Sequence, residues 1–193
     1  KRLRAAKEME TDICEELRQL DMPKIRFVCE FTPQEAAETG LDRVRFLMSA
    51  NVGEALKPLS KVASGGELAR IMLAMKQVLA QQDGVPTLIF DEVDAGVSGR
   101  AAQKVALKLW AVSKGRQVLC VTHLPQIAAM ADAEFTVEKR VEHERTYTSV
   151  LHLDGSGRRQ ELARLIGGSM ITETTLAGAA ELLRLADEAK RGI

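Results

Sequence analysis

Two adjacent carboxylates, Asp91 and Glu92, directly follow a short and largely apolar run over residues 86–90. Such a run is typical of a parallel-sheet strand that is buried on both faces. Ligands of these sheets bind at the carboxyl ends of the strands, so both acids are expected at the reactive edge. There one carboxylate can hold Mg²⁺, and the next can orient or deprotonate an attacking water. The same pair also occurs as a solvated turn, and by itself it leaves both interpretations open.

A second candidate, Ser64-Gly65-Gly66-Glu67, opens a strong helical pattern. Ser64 and Glu67 have the spacing of a capping box, and the glycines ease the entry into the helix. The same geometry can also hold a phosphate, because a serine hydroxyl, glycine N–H groups and a helix N-terminus all favour an anion. The motif alone does not decide between a helix cap and a phosphate site.

A histidine, His123, follows a second apolar run over residues 117–121. A lone histidine is more often structural than catalytic. If the two apolar runs are neighbouring parallel strands, however, His123 and Glu92 are expected at the same sheet edge.

The elements that must position these residues follow from the hydrophobic pattern. Residues 1–20 have helical spacing of apolar side chains, which predicts either the end of a coiled coil or an amphipathic surface helix, and Pro23 ends it. Residues 25–31 and 44–50 alternate as two antiparallel strands, separated by a polar loop that contains Pro33 and Gly40. A helix from Ser64 to about residue 82 precedes a strand, helix, strand unit over residues 86–121, typical of a parallel βαβ unit. A short helix, a hairpin (134–141 and 146–153) and two helices (about 158–166 and 173–190) complete an α/β chain.

Composition limits the classes of function. The 193 residues are 46% apolar, enough for one domain with a core, and their 27 basic and 27 acidic residues disfavour nucleic-acid or membrane binding through bulk positive charge. No apolar run reaches the length of a membrane span, and no signal peptide is recognisable, so we expect a soluble protein.

The spacing of Cys14, Cys29 and Cys120 matches no metal site and indicates a reducing cytoplasm. A first residue Lys1 inside a helical pattern indicates a piece of a longer chain.

The order and spacing of the three motifs resemble those of an ABC-type ATPase, with a signature motif, a Walker B strand, a D-loop and an H-loop. The short N-terminal helix points to the SMC-like branch. Within that branch the chain resembles the RecN family of bacterial DNA-repair proteins, through residues 57–68, 90–99, 121–126 and 160–168. The resemblance implies the C-terminal lobe of an ABC/SMC-type ATPase head: a mostly parallel sheet core with flanking helices and extra antiparallel strands. Residues 1–21 would end a coiled coil, and residues 22–193 would form the lobe.

The resemblance also implies roles for individual residues. The signature residues Ser64, Gly65, Gly66 and Glu67 would meet the γ-phosphate of ATP bound to a partner head. Asp91 would bind Mg²⁺, Glu92 would polarise the water, and His123 would sense the γ-phosphate. The D-loop would contain Asp94, Gly96 and Ser98. Many relatives have aspartate where this chain has Ser98, which puts communication between the two sites through that position in doubt.

A Walker A motif requires a glycine followed by lysine, and none of the 14 glycines is followed by one. The resemblance explains this, because in SMC-like proteins the N-terminal half of the head supplies Walker A. The implied partners are that half, a second head in an ATP-dependent homodimer, and DNA through the full-length protein, with no membrane. The implied function is ATP hydrolysis in double-strand break repair in the bacterial cytoplasm, near the nucleoid, with the isolated chain inactive. The alternatives are the head of another SMC-like protein and a non-catalytic module that only bridges heads.

Overall fold

The structure, a computed structural model, describes residues 1–49, 51, 53–61, 65–80, 82–142 and 145–192. The chain forms two compact units. The first unit comprises Lys1–Val97 and Ala111–Val121, and the second comprises Ser98–Trp110 and Thr122–Ile193.

The first helix, α1 (Arg2–Gln19), packs its C-terminal half into the first unit. Ile13, Leu17 and the following Leu20 are fully buried, whereas Leu3 near the N-terminus is exposed. The side chain of Glu10 accepts a hydrogen bond from the Cys29 backbone N–H at 2.6 Å, which ties the helix to the adjacent strand. The buried residues of α1 face a core, as in an amphipathic helix, and the interpretation of residues 1–21 as the end of a coiled coil stays a prediction.

An antiparallel sheet follows, with the strands β1 (Arg26–Ala37), β2 (Gly40–Ser49) and β3 (Lys57–Pro58) in that order. The expected pair of antiparallel strands is confirmed, but the expected loop containing Pro33 and Gly40 is wrong, because Pro33 belongs to β1 and Gly40 begins β2. Pro33 lies within β1 opposite Asp42, and the register shifts only between Pro33 and Ala37. Because β1 is the edge strand of this sheet, a proline there can face away from the ladder and cost no inter-strand hydrogen bond.

The predicted parallel βαβ unit is confirmed. The helix α2 (Gly65–Val78) precedes β4 (Thr87–Phe90), and α3 (Gly99–Ser113) leads to β5 (Gln117–Cys120). The two strands pair in parallel from Thr87 opposite Gln117 to Phe90 opposite Cys120. The expectation that both strands are buried on both faces is wrong, because Ile89 is 71% exposed and its partner Leu119 is 46% exposed. Only the opposite face, with Leu88 and Phe90, is buried.

The second unit contains a short helix, a hairpin and two longer helices, as expected. Their bounds are α4 (Pro125–Ala128), β6 (Phe135–Glu142), β7 (Arg145–His152), α5 (Gly155–Gly167) and α6 (Glu173–Arg191). The strands β6 and β7 are antiparallel, and α5 packs against α6 through buried residues such as Leu162 and Ala179. The Arg158 guanidinium fixes the loop before β6 by donating to Glu134 at 3.3 Å and to the Ala131 carbonyl at 2.8 Å.

The described residues thus form a mixed α/β fold in which parallel pairing is confined to β4 and β5. Within the same ranges, no helix has both the length and the apolar character that crossing a membrane would require.

Candidate functional site

The two acidic residues lie where the sequence places them, immediately after β4. The pairing of β4 with β5 extends to a hydrogen bond from the Val121 N–H to the Phe90 carbonyl at 3.0 Å, so Asp91 follows the last paired residue of its strand. Both Asp91 and Glu92 are exposed. Glu92 has a φ of 57°, and its carbonyl accepts from the Ala95 N–H at 3.0 Å, which closes a tight turn over residues 92–95. Left-handed backbone is unusual for a residue other than glycine and indicates a position held by its surroundings.

The two glycines that begin α2 lie directly against this turn. A Cβ atom added to Gly66 would lie 2.6 Å from the Ala95 Cβ and 2.9 Å from the Ala95 carbonyl oxygen, closer than atoms can approach. A Cβ atom added to Gly65 would overlap the Glu92 carboxylate. The structure therefore brings the two glycines of the predicted signature motif and the acidic turn together inside the first unit, with the Glu92 carboxylate over the first turn of α2. A helix N-terminus favours negative charge, so this position suits a carboxylate or a phosphate.

A residue that the sequence pattern did not single out, Arg70, fastens α2 to the same turn. Arg70 lies on the buried face of α2 and is only 7% exposed. Its Nη1 donates to the Ala95 carbonyl at 2.6 Å and approaches the Val93 carbonyl at 3.4 Å. Burial lowers the pKa of the Arg70 guanidinium, and the nearby Glu67 carboxylate opposes that shift. The available signal was an arginine at a core position of an otherwise apolar helix face, but its partners are more than twenty residues away in sequence.

The carboxylates of Asp91 and Asp94 lie near the end of β5. Burial, and then the charges of Asp94 and Asp91, raise the pKa of the Cys120 thiol to about 12. Asp94 is buried, whereas Asp91 is exposed. Across the part of the chain that the structure describes, no three acidic, histidine or cysteine side chains converge as a metal site would require. Mg²⁺ usually needs only one or two protein carboxylates when substrate phosphates complete its shell, so the exposed Asp91 carboxylate fits this role together with a nucleotide.

Other predicted site residues are distributed over both units. Ser64 lies outside the described residues. Gly96, in the first unit, is exposed and has a φ of 73°, a conformation that glycine adopts without strain. Ser98 begins the second unit, and its carbonyl accepts from the Ala101 N–H at 3.1 Å at the start of α3.

His123 also belongs to the second unit and is exposed in the segment between β5 and α4. The turn around it is closed by Thr122, whose hydroxyl oxygen accepts from the Leu124 N–H at 3.1 Å. The predicted adjacency of the strands before Glu92 and His123 is confirmed by the pairing of β4 and β5.

The arrangement in the first unit can support phosphate chemistry. An exposed carboxylate at a strand end can hold a divalent cation, and its neighbour, fixed by a tight turn, can orient water. The glycine-rich N-terminus of α2 offers N–H groups to an anion. The 193 residues contain no Walker A motif, because none of their glycines is followed by lysine.

Comparison with solved structures identifies the fold. An SMC head domain with coiled coil from Pyrococcus yayanosii is 21% identical with a TM-score of 0.60, and covers 83% of this chain and 29% of that chain. An SMC ATPase structure with 20% identity has a TM-score of 0.53, and covers 87% of this chain and 97% of that one. At these identities the likeness establishes the fold alone, which is that of an SMC-type ATPase head lobe. No family model matches the chain.

Comparison with curated proteins gives much higher similarity. The DNA repair protein RecN of Bacillus subtilis is 46% identical over 96% of this chain, and that of Vibrio cholerae is 47% identical over 94% of it. The chain spans about a third of the length of these relatives, 35% and 33% respectively. The resemblance that the motifs predicted is therefore confirmed: over nearly its whole length this chain matches the C-terminal part of the RecN DNA-repair proteins, within the fold of an SMC-type ATPase head.

Proposed function

We propose that this chain is the C-terminal lobe of a RecN-like ATPase head that acts in DNA double-strand break repair. In this proposal the lobe contributes the signature motif, the Walker B acids, the D-loop and the H-loop. The N-terminal half of the same head contributes Walker A, and the isolated lobe does not hydrolyse ATP. The similarity to RecN supports the repair role, and the likeness to SMC heads supports the fold in which this chemistry takes place.

The observation that carries the proposal is the contact between the acidic turn and the glycine-rich start of α2. Residues 65 and 92 are far apart in sequence, yet a side chain at Gly65 would overlap the Glu92 carboxylate. In the proposed pair of heads, the N–H groups of α2 bind the other head's nucleotide and Glu92 acts on the nucleotide of its own head, so this contact fixes one nucleotide site relative to the other. A solvated turn and a helix cap that served no common purpose would not need this packing.

The roles proposed for single residues follow from their positions. Asp91 holds Mg²⁺, which, with ATP bound, neutralises charge on the transferred phosphoryl group. Glu92 orients the attacking water and accepts its proton. Glu67 and the residues of the Ser64–Gly66 segment bind the γ-phosphate of the facing head's ATP. His123 contacts the γ-phosphate of the ATP bound to its own head. The Gly96–Ser98 segment lies between the nucleotide sites of the two heads.

The exposed face of the parallel sheet supports a covering role for the N-terminal half of the head. Ile89 and Leu119 lie side by side on this face, and Val121 beyond them is 63% exposed. Parallel sheets are covered on both faces in nearly all known folds, because their crossover connections lie on both faces, and their strands are therefore apolar on both sides. A head half that carries Walker A and covers this face would complete both the sheet's packing and the nucleotide site.

The proposed assembly is a two-fold pair of heads, with each signature motif facing the other head's nucleotide. One of the similar SMC structures comes from work on ATP-driven dimerisation and DNA-stimulated activation of SMC ATPases, which supports extending this behaviour to the present chain. DNA would be engaged by the full-length protein in the bacterial cytoplasm, at the nucleoid.

Reconstitution tests the proposal directly. We expect the lobe alone to show neither tight ATP binding by calorimetry nor ATP turnover, because the P-loop supplies most ground-state phosphate contacts. When the lobe is mixed or fused with its Walker A half, the completed head should hydrolyse ATP. Its ATP turnover is measured in parallel with and without DNA. Micromolar ATP binding by the lobe alone would contradict the proposal. A completed head that binds ATP but never hydrolyses it would also contradict it, and would favour a module that only bridges heads.

A further inference from the structure

The backbone of the acidic turn, residues 92–95, has few stabilising interactions of its own. Glu92 is in the left-handed region, which is unfavourable for a residue with a side chain. The 92–95 turn is closed by one backbone hydrogen bond, from the Ala95 N–H to the Glu92 carbonyl. The next carbonyls along the turn, those of Val93 and Ala95, both point to Arg70 on α2.

Arg70 is an unfavourable residue for filling this space. It is almost fully buried, and among the described residues its Nε lies buried without a hydrogen-bond partner. An apolar side chain of similar volume commonly stabilises such a position at least as well. A guanidinium, unlike an apolar side chain, can donate to two carbonyls of one turn at once, and Nη1 of Arg70 makes both of these contacts.

We propose that Arg70 is a positioning residue for Glu92, which fixes the backbone after Glu92 through the Val93 and Ala95 carbonyls and thereby aims the Glu92 carboxylate. Gly66 lies one helical turn before Arg70 on the same face of α2 and lets the turn approach the helix closely enough for these bonds. The inference rests on the proposed function, because aiming Glu92 matters for turnover only if Glu92 acts on the attacking water.

The test compares Arg70→Met with a matched control, Arg116→Met, in the full-length protein. Arg116 belongs to the same unit, and its Nη2 donates to the Ala80 carbonyl at 2.7 Å, at the far end of α2 from Glu92. We expect Arg70→Met to lower kcat by about 10-fold or more while KM stays within about 2-fold, because only the chemical step loses an aimed acid. Arg116→Met should keep kcat within about 2-fold of the wild type, even if it lowers the melting temperature as much as Arg70→Met does.

A double variant separates positioning from general damage. If Arg70 acts through Glu92, then Arg70→Met should reduce turnover little further once Glu92→Gln is present, so the two effects are not additive. Arg70→Lys keeps the charge, but its terminal nitrogen lies one bond closer to the backbone and falls short of both carbonyls, so this variant should show the same selective loss of kcat. Should Arg70→Met fail to fold, Arg70→Lys decides the question. Full additivity with Glu92→Gln, or wild-type kcat in Arg70→Lys, would overturn the proposal.

Amide hydrogen exchange provides a readout that does not depend on activity. The Ala95 amide, bonded to the Glu92 carbonyl, should exchange faster in both Arg70 variants and at the wild-type rate in Arg116→Met. Unchanged Ala95 exchange in the Arg70 variants would overturn the inference even in an active protein. A wild-type protein without ATPase activity, but with the expected loss of Ala95 protection in the Arg70 variants, would instead contradict the proposed function and leave the positioning contact standing.

Discussion

Gly65 and Gly66 face different parts of the acidic turn, and this difference predicts different consequences of substitution. A Cβ atom at Gly66 would meet the Cβ and backbone oxygen of Ala95, which are fixed in the turn. A Cβ atom at Gly65 would meet only the end of the Glu92 side chain, which can rotate away. The first contact constrains the backbone, and the second constrains the direction of one carboxylate.

We therefore expect Gly66→Ala to destabilise the head by about 1–3 kcal/mol, since the overlap exceeds what the gain in helix propensity can offset. Gly65→Ala should melt near the wild-type temperature but hydrolyse ATP more slowly, because the Glu92 carboxylate is displaced. Thermal melting and ATP turnover of both variants check this. If Gly65→Ala were the destabilised variant and Gly66→Ala melted normally, the described packing would be contradicted.

At the scale of elements, local patterns predicted most of the fold. The apolar spacing of α2, the two short runs of β4 and β5 and the alternation in β6 and β7 each identified an element, and strand order along the chain predicted the parallel pairing. The errors arose where non-local packing determines whether a residue belongs to a strand and whether its side chain is buried. Pro33 is tolerated in β1 because the strand lies at a sheet edge, and Ile89 is apolar although exposed in this lobe. Neither the edge position of β1 nor the exposure of Ile89 can be recognised from local sequence, because both depend on which other segments pack beside them.

The site divides in the same way. Strand ends and a glycine-rich helix start predicted Asp91, Glu92, Gly65 and Gly66, because these positions follow from general rules for α/β sheets. Arg70 was missed because its partners are carbonyl groups, which every residue possesses and no sequence motif distinguishes.

The end of α2 is fixed by an ion pair whose contribution depends on pH. The Lys76 ammonium bonds to the Asp83 carboxylate, which also accepts from the Val85 N–H at 3.2 Å. The hydrogen bond from Lys76 is the main reason that the pKa of Asp83 lies below its ordinary value. A folded-state pKa below the unfolded one stabilises the fold above the unfolded value of about 4, and this contribution is lost as the pH falls through the lowered pKa.

Asp83→Asn should therefore be less stable than the wild type near pH 7, and the difference should shrink as the pH falls below about 4. Urea unfolding of the completed head at several pH values measures this. Lys76→Met removes the same pair from the other side and should show the same convergence. A difference in stability between Asp83→Asn and the wild type that stays constant with pH would show that the Asp83 charge does not contribute.

At the scale of the whole molecule, the exposed apolar face of β4 and β5 is the largest consequence of the proposed division of the head. Contiguous apolar surface of this kind promotes association with a partner or with other copies. We expect the isolated lobe to associate, and Ile89→Gln with Leu119→Gln to reduce that association and to weaken binding of the Walker A half.

Light scattering of the isolated lobe and pull-down of the Walker A half check both effects. Val137→Gln provides the control, because Val137 is an exposed apolar residue of the other unit. A lobe that is monomeric at high concentration, or a Walker A half that binds the double variant as well as the wild type, would contradict a covering role for that half.

If Glu92 activates water in a head completed by Walker A, ATP turnover should depend on its carboxylate, and the Glu92→Gln variant of the completed head measures this dependence. Glutamine keeps the shape of the side chain and removes its charge, so turnover should fall by about 10²-fold or more, as for the loss of other general bases. ATP binding should persist, because Asp91 and the Walker A groups are intact, and the trapped nucleotide should hold the heads together as a dimer. Turnover at the wild-type rate in Glu92→Gln would contradict the account.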